Sequence, residues 1–523
     1  VPGQKAHKSN AWNDAYIFSR LMNQALYVRI TAFRAFVRDR QHADFEGKIY
    51  MIFSSYTFIF VFLPIVFAVY YLVQRFAGDR PAKAWLVAAS LFFYAYGNVV
   101  FLPLLAGTVV FNYVIVKLLR KNRGKPVIPK LLLALAILEN LGLLFYFKYM
   151  NFFIRNVNYV FGTDYILYEI ALPIGISFYT FQILAHVIET YRGEGGDSTF
   201  LEYAVFVTFF PQLIVGPIVS HDHMMEQIRS DNVRRIDTTN IIKGIMYFSV
   251  GCAKKILIAD PLIAHAQNFY NVMENGNFFE AWGAVFAYTF AYYFDFSGYI
   301  DMALGLGMFF NIKLPENFDS PYKARNFADF WRRWNITVSN FFYNHIFRRI
   351  FRFGDGVPKL VLATMATFIV SGLWHGASWH FVFWGAVNGI LVCLANIMTL
   401  KRKKLPFPLA WALTFFFVLV TRVLFDANGM TQAFSVYRTM FDIRPVLSGP
   451  RAFLGSGLDY VSGNLQEMLL IVAGACICFF APNTREMFEE FKPRWYHAVF
   501  AGALFTISLF FMGRVSSFLY FQF

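Results

Sequence analysis

The feature that most constrains this chain is a succession of long apolar runs, centred near Phe60, Phe92, Val109, Leu138, Phe178, Phe209, Ile245, Phe290, Phe368, Val387, Phe416, Ile471 and Leu504. A helix needs about 20 consecutive apolar residues to cross the hydrocarbon core of a bilayer, and by that rule roughly eleven to thirteen runs qualify or nearly qualify. Strands of an outer-membrane barrel would alternate apolar and polar residues in short stretches. The expected fold is therefore all-α and polytopic. Composition agrees: 57% of the 523 residues are hydrophobic and 15% are charged, where soluble domains carry about 25% charged residues.

The net charge of +15 does not point to nucleic acid, because Lys and Arg fall between the apolar runs and form no basic domain with interleaved aromatics. Topology explains them instead. Lys117, Arg120, Lys121, Arg123, Lys125 and Lys130 fill one loop, Lys401 to Lys404 fill another, and both are expected on the cytoplasmic side. Cys252, Cys393, Cys476 and Cys478 lie in apolar segments without metal-ligand spacing or a framework of pairs, as packing residues do.

Residues 1–50 differ from the rest, being polar and mixed in charge. Met51 opens directly onto an apolar run, so the natural start is expected there, with 1–50 an extension outside the native protein; a surface helix around Ala25 to Arg38 is the competing reading. Residues 51–523 form the transmembrane domain. The run after Met51 lacks a basic leader and is long enough to anchor, so no cleavable signal is read. No motif repeats at 20 to 50 residues, which excludes a solenoid. Residues 311–356, rich in Arg, Asn, Pro and aromatics, are expected to be amphipathic and partly re-entrant, an arrangement tolerated at membrane depth only inside protein or a watery cavity.

An ionisable residue inside a spanning helix is a functional hypothesis by default. His375 is such a residue, flanked by Gly372 and Gly376. Imidazole titrates near neutrality and accepts a proton from an attacking hydroxyl at little thermodynamic cost. A core histidine bonded to a neighbouring helix is the other reading, and the residue alone leaves both open. His380, about 140° further round a helix, is expected to be structural. Upstream, Trp331, Trp334 and Asn335 stand at i, i+3 and i+4, so one helical face presents two indoles and an amide. That amide suits an acyl carbonyl, since preorganised donors stabilise oxyanion charge. Arg332 and Arg333 point elsewhere, towards phosphates or headgroups; an interfacial helix with snorkelling arginines is the alternative. Asp295 and Asp301 in one apolar run, and His186 and Glu189 in another, fit either proton relay or helix-bridging pairs. His221-Asp-His223 reads as a loop and is a weak metal signal. Walker, dinucleotide, HExxH and GxSxG patterns are absent.

Several segments together resemble the membrane-bound O-acyltransferase family, and within it the alginate O-acetylase group. They are Met51-Ile-Phe-Ser-Ser55, Leu172-Pro-Ile-Gly-Ile-Ser-Phe178, Phe209-Phe-Pro-Gln-Leu-Ile-Val-Gly-Pro217, Lys254-Lys-Ile-Leu-Ile-Ala-Asp260, Tyr293-Phe-Asp-Phe-Ser-Gly-Tyr-Ile-Asp-Met-Ala-Leu-Gly305, Asn317-Phe-Asp-Ser-Pro-Tyr322, Phe330-Trp-Arg-Arg-Trp334 and Ser371-Gly-Leu-Trp-His-Gly376. They follow the family's order over almost the whole chain from Met51. Where the alginate group usually has a second histidine after Trp-Arg-Arg-Trp, this chain has Asn335, and Tyr343-Asn344-His345 stands where Arg-Asp-Tyr is usual.

The resemblance implies helices ringed around a tunnel with a catalytic histidine at its constriction, His375, partnered by Asn335. Trp331, Trp334, Trp374, Arg332, Arg333 and Asp295 are then expected along the substrate path, with no metal. It further implies a thioester donor, acetyl-CoA or an acyl carrier, as a substrate with no bound cofactor. It also implies a bacterial inner-membrane location, a periplasmic acyltransferase- or esterase-like partner, polysaccharide export machinery, and O-acetylation of an alginate-like exopolysaccharide. Transfer to another envelope polymer, such as teichoic acid or peptidoglycan, and a non-catalytic transporter are the alternatives.

Overall fold

The computed structural model describes residues 51–271, 276–403, 405–489, 494–514 and 518–519. The polar segment 1–50, and the surface helix considered within it, lie outside these residues. All regular structure among the described residues is helical, apart from one isolated antiparallel bridge between Phe318 and Trp334.

Six helices among the described residues are long and apolar enough to cross a membrane, or seven if Pro450–Gly463 and Leu465–Phe480, bent by 93°, form one span. This is fewer than the apolar runs, because several runs fold as short or interrupted helices. The run near Phe209 divides into Phe200–Thr208 and Phe210–Leu213, with Pro211 opening the second piece. The helix Thr238–Ala253 passes into a π-helical turn at Lys254–Ala259. Such breaks survive at membrane depth where surrounding protein satisfies the backbone, and Phe206, Phe209, Phe210 and Lys255 are indeed fully buried.

The helices that build the site are labelled in chain order. Helix α1 (Ile128–Leu144) continues through a π-helical turn, Phe145–Tyr149, into α2 (Met150–Phe161). Helix α3 is Ile176–Arg192, and α4, Phe278–Phe309, is 32 residues long and buried over most of its length. At 1.5 Å per residue α4 runs about 48 Å, longer than the hydrocarbon core it would cross. It packs antiparallel on Thr238–Ala253 at a close crossing, where a Cβ on Gly251 would fall 2.5 Å from the carbonyl oxygen of Gly298. Small residues at such crossings let backbones approach in membrane bundles.

The central segment comprises α5 (Phe327–Arg333), α6 (Ile336–Phe342) and a π-helical turn, Tyr343–Phe347. Two long helices follow as a hairpin, α7 (Val357–His375) and α8 (Trp379–Leu400), and then α9 (Phe407–Asp426). Gly372 and Gly385 make the hairpin tight: a Cβ on Gly372 would collide with the carbonyl oxygen of Phe381, and one on Gly385 with that of Phe368.

Lys117, Arg120, Lys121 and Lys130, expected in one loop, lie in the helices Leu102–Lys121 and Ile128–Leu144. Trp331, Trp334 and Asn335 do not share a helical face, because α5 ends at Arg333, Trp334 is extended and Asn335 is left-handed. His221 and His223 do not lie in a loop but open a helix, His221–Arg229, preceded by an extended Ser220.

Candidate active site

Helix α7 stops at His375 because Gly376 is extended (φ −163°, ψ 146°) and cannot continue it. The imidazole thus stands at the tip of the α7–α8 hairpin, where only 9% of the residue is exposed. Three rings wall it: Trp374 at 4.6 Å between centroids, Phe425 at 5.0 Å and Trp384 at 5.2 Å, each meeting it edge-on. Edge-to-face packing holds aromatic rings in a defined orientation, and the wall surrounds the imidazole with apolar surface.

A second layer joins this wall to the central segment. Trp384 stands edge-on to Trp331 at 5.5 Å. Phe425 meets Tyr292 at 5.5 Å, and Tyr292 stacks on Trp334 at 5.9 Å with the planes only 9° apart. Trp374 stacks on Phe181 of α3 at 5.4 Å. The expected tryptophans, Trp331, Trp334 and Trp374, therefore come from two elements, α5 with its C-terminal cap and α7.

Asn335 lies between α5 and α6 in the left-handed conformation, with φ at +46°. Asn adopts this region more readily than most residues because its short amide bonds locally. Its backbone is fixed by its neighbours: Asp319 N–H donates to the carbonyl of Arg333 and Ile336 N–H to that of Asn317, each at 3.0 Å. The residue is 4% exposed, and its Oδ1 is buried with no hydrogen-bond partner among the described residues. A buried acceptor left without a donor in a native fold calls for an explanation.

The profile of the membrane-bound O-acyltransferase family matches residues 48–428. The chain belongs to this family. It is 36% identical over 521 residues to the peptidoglycan O-acetyltransferase of Helicobacter pylori, covering 90% of this chain and 98% of that protein. It is 35% identical over 397 residues to the probable alginate O-acetylase AlgI of Pseudomonas aeruginosa, covering 75% of each. A more distant similarity, 28% over 248 residues, links 44% of the chain to 58% of the teichoic acid D-alanyltransferase of Streptococcus thermophilus.

In this O-acyltransferase the remaining expected residues lie apart from the chamber. The side chain of Arg332 is 74% exposed and lies 3.7 Å from Asp329. Arg333 donates to Asp329 at 3.1 Å and to the backbone carbonyl of Asp319 at 3.1 Å. Asp295 belongs to a buried ion cluster: Lys255 Nζ lies 2.6 Å from Asp295 and 2.8 Å from Asp260. Asp295 also accepts the backbone N–H of Leu519 at 2.9 Å. Asp301 is bound by Lys254 at 2.6 Å and by Thr484 Oγ1 at 2.7 Å. His380 pairs with Ser378 at 2.8 Å, and His221 stacks on His186 at 3.8 Å.

Two charged groups beside the chamber were missed. Lys148 Nζ donates to the backbone carbonyl of Trp374 at 2.6 Å. Arg422 of α9 lies with its guanidinium carbon 3.5 Å from the centre of the Tyr292 ring and 4.6 Å from that of Phe425, paired with Asp426 at 2.5 Å. The signal that singled out His375, an ionisable residue in an apolar run, applies to both.

A polar cavity of about 450 Å³ lies at the far end of α3, lined by Glu189, Arg192, Glu194, Asn344, His345, Arg348 and Arg349. From it a file of rings leads towards the chamber: His345 to Phe341 at 4.6 Å, Phe341 stacked on Phe181 at 4.3 Å, and Phe181 on Trp374. The loop after α3 is tied to the basic segment by Arg123, which donates to the carbonyl of Gly193 at 3.3 Å, and by Lys117 of the helix Leu102–Lys121, paired with Asp197 at 2.7 Å. The Lys117 ammonium, hydrogen-bonded to Asp197, holds that carboxyl below its ordinary range.

Proposed function

We propose that this O-acyltransferase carries an acetyl group from a cytoplasmic thioester to a hydroxyl of an exported cell-envelope glycan, in the inner membrane, with His375 as general base. The observation that carries the reading is the placement of His375: an imidazole at a helix terminus, screened from bulk solvent and walled by Trp374, Trp384 and Phe425. In the reaction, the glycan oxygen bonds the acyl carbon as its proton passes to the imidazole, and the carbonyl electron pair moves to oxygen. Collapse re-forms the carbonyl and expels a thiolate, which takes the proton back from the imidazolium. Apolar walls exclude water, which competes for the acyl group.

Asn335 is the candidate partner, its unpaired buried Oδ1 standing beside Trp334. Trp331, Trp334 and Trp374 shape the chamber. The arginine-lined cavity beyond α3 suits the phosphate groups of acetyl-CoA or of an acyl carrier arm, because guanidinium forks bind phosphate bidentately. It adjoins the loop that Lys and Arg content assigns to the cytoplasm.

Peptidoglycan is the favoured acceptor, since the relative named for it aligns over 90% of this chain. An alginate-like exopolysaccharide is the second reading, supported by 35% identity over 75% of the chain. In either case a periplasmic acyltransferase- or esterase-like partner positions the glycan hydroxyl for this transfer. The test is mass spectrometry of muropeptides and of surface polysaccharide from cells carrying the wild-type chain or His375→Ala. Loss of O-acetyl esters from one polymer, at unchanged protein level, is expected and names the acceptor; full acetylation of both polymers by the variant defeats the reading.

A further inference from the structure

We propose that Lys148 is the cation that holds the developing oxyanion during acyl transfer, an inference that rests on the reading of His375 as the base. Lys148 interrupts the otherwise apolar stretch in which α1 passes into α2. It does so within the π-helical turn Phe145–Tyr149. A π-turn inserts one extra residue and so re-aims the side chains around it, and such turns recur at functional sites. Here the turn directs two consecutive residues at the end of the helix that carries the base. Lys148 Nζ donates to the carbonyl of Trp374 at 2.6 Å, and Tyr149 Oη donates to the carbonyl of Leu373 at 2.9 Å.

These bonds serve the last carbonyls of α7, which have no partner within the helix. Tyr149 shows that a neutral hydroxyl suffices for that task. An ammonium brings more than the task requires: it carries three N–H donors, and Trp374 takes one. Among the described residues no carboxylate lies within 4 Å of Nζ and no second acceptor meets it. By contrast, Lys254, Lys255 and Arg422, three other cations set into apolar segments, each have a carboxylate partner; Lys323, outside such a segment, caps the Ala481 carbonyl without one. An ion left without a counter-charge at membrane depth is costly and marks function.

The Lys148 side chain is half-buried. The residue it grips is covalently next to His375. Acyl transfer places negative charge on the acyl oxygen for the lifetime of the tetrahedral intermediate. A preorganised donor aimed at that oxygen is the largest single contribution in many acyl transfers. The balance is simple: His375 takes the hydroxyl proton, the acyl oxygen takes the carbonyl pair and is held by two N–H groups of Lys148. When the carbonyl re-forms, the thiolate leaves with the proton from His375 and Lys148 is unchanged.

The experiment uses membrane vesicles holding the full chain and its periplasmic partner, supplied with acetyl-CoA and peptidoglycan, and reads ester formation per folded molecule in wild type, Lys148→Gln, Lys148→Arg, Lys148→Ala and His375→Ala. Lys148→Gln is expected to lose about 100-fold, in line with removal of one oxyanion donor, while its thermal midpoint stays at the wild-type value, since an amide still caps the Trp374 carbonyl. Lys148→Arg retains part of the activity. Ethylammonium added to Lys148→Ala restores a measurable fraction, which a purely structural role would not allow. Wild-type ester formation by Lys148→Gln, or a loss matched by the loss of folded protein, overturns the proposal and leaves Lys148 a helix cap. An active His375→Ala instead overturns the base reading, so the two failures are distinguishable.

Discussion

The guanidinium carbon of Arg422 lies over the ring of Tyr292, 3.5 Å from its centre, and also over that of Phe425 at 4.6 Å. Phe425 touches His375 and Tyr292 stacks on Trp334, so one cation braces two walls of the chamber at once. Removing one partner of a buried ion pair costs about 3–5 kcal/mol, because the other charge is left unpaired. Arg422→Met is therefore expected to lower the thermal midpoint sharply. The double variant Arg422→Met, Asp426→Leu should recover most of the stability but not the activity, read as acetyl esters per folded molecule. Full activity in the double variant would mean that the brace does not position the site.

Asn335 allows its backbone and its amide to be tested separately. A residue with a Cβ pays roughly 1–2 kcal/mol in the left-handed region, whereas Gly does not. Asn335→Ala should lose both stability and turnover; Asn335→Gly should keep its thermal midpoint and still lose turnover. Asn335→His is expected to retain part of the activity. Near-normal turnover by Asn335→Gly removes the amide from the site.

The hairpin crossing sets the height of His375. Gly372→Ala would push a methyl group into the carbonyl of Phe381, and overpacking of this kind costs about 1–3 kcal/mol. Because the collision lies one turn before His375, activity should fall further than stability. Unchanged ester formation at an unchanged melting temperature would show that the backbones separate without moving the imidazole.

Asp295 is expected to act on folding and not on turnover. In Asp295→Asn, Lys255 keeps Asp260 but loses its shorter partner, for a cost of up to about 3 kcal/mol. Ester formation normalised to folded protein should match wild type. A variant that melts normally yet turns over poorly would return Asp295 to the substrate path.

The Lys117–Asp197 pair gives a pH-dependent contribution whose sign follows from the lowered carboxyl. A group held below its ordinary value adds stability above its unfolded pKa, near 3.9, and loses it as pH falls through the folded value. Asp197 is 66% exposed at its side chain, so screening limits the effect to below about 1 kcal/mol. Asp197→Asn should melt slightly earlier than wild type at pH 7, the gap closing in acid and at high salt. A gap that persists once pH has fallen below both the folded and the unfolded value would assign the stability to another contact.

How much of this was legible in the chain itself differs by residue. His375 stands out because a lone imidazole in an apolar run is conspicuous against its surroundings. The spacing of Trp331, Trp334 and Asn335 misled on local structure, since the helix ends at Arg333, while family motifs named the reaction class. Lys148 could not be connected to Trp374, since 226 residues separate them and nothing local records that pairing. The left-handed turn at Asn335, with the strand-like contact of Phe318 and Trp334, arises from tertiary packing. Asp295 looked the same as a functional carboxylate because a buried acid in a helix has one appearance in sequence whether it meets substrate or Lys255. Apolarity alone does not separate the helices that face lipid from those enclosed by protein, since it reports burial of either kind.

The α7–α8 hairpin has a last consequence. With backbone pressed on backbone at Gly372 and Gly385, no cushion of side chains lets one rod slide past its neighbour. The imidazole at the tip is a fixed post, without a swing arm to carry it between two compartments. On the proposed reading of His375 as the base, donor and acceptor must each travel to it, and transfer is then governed by how far the two reactants reach.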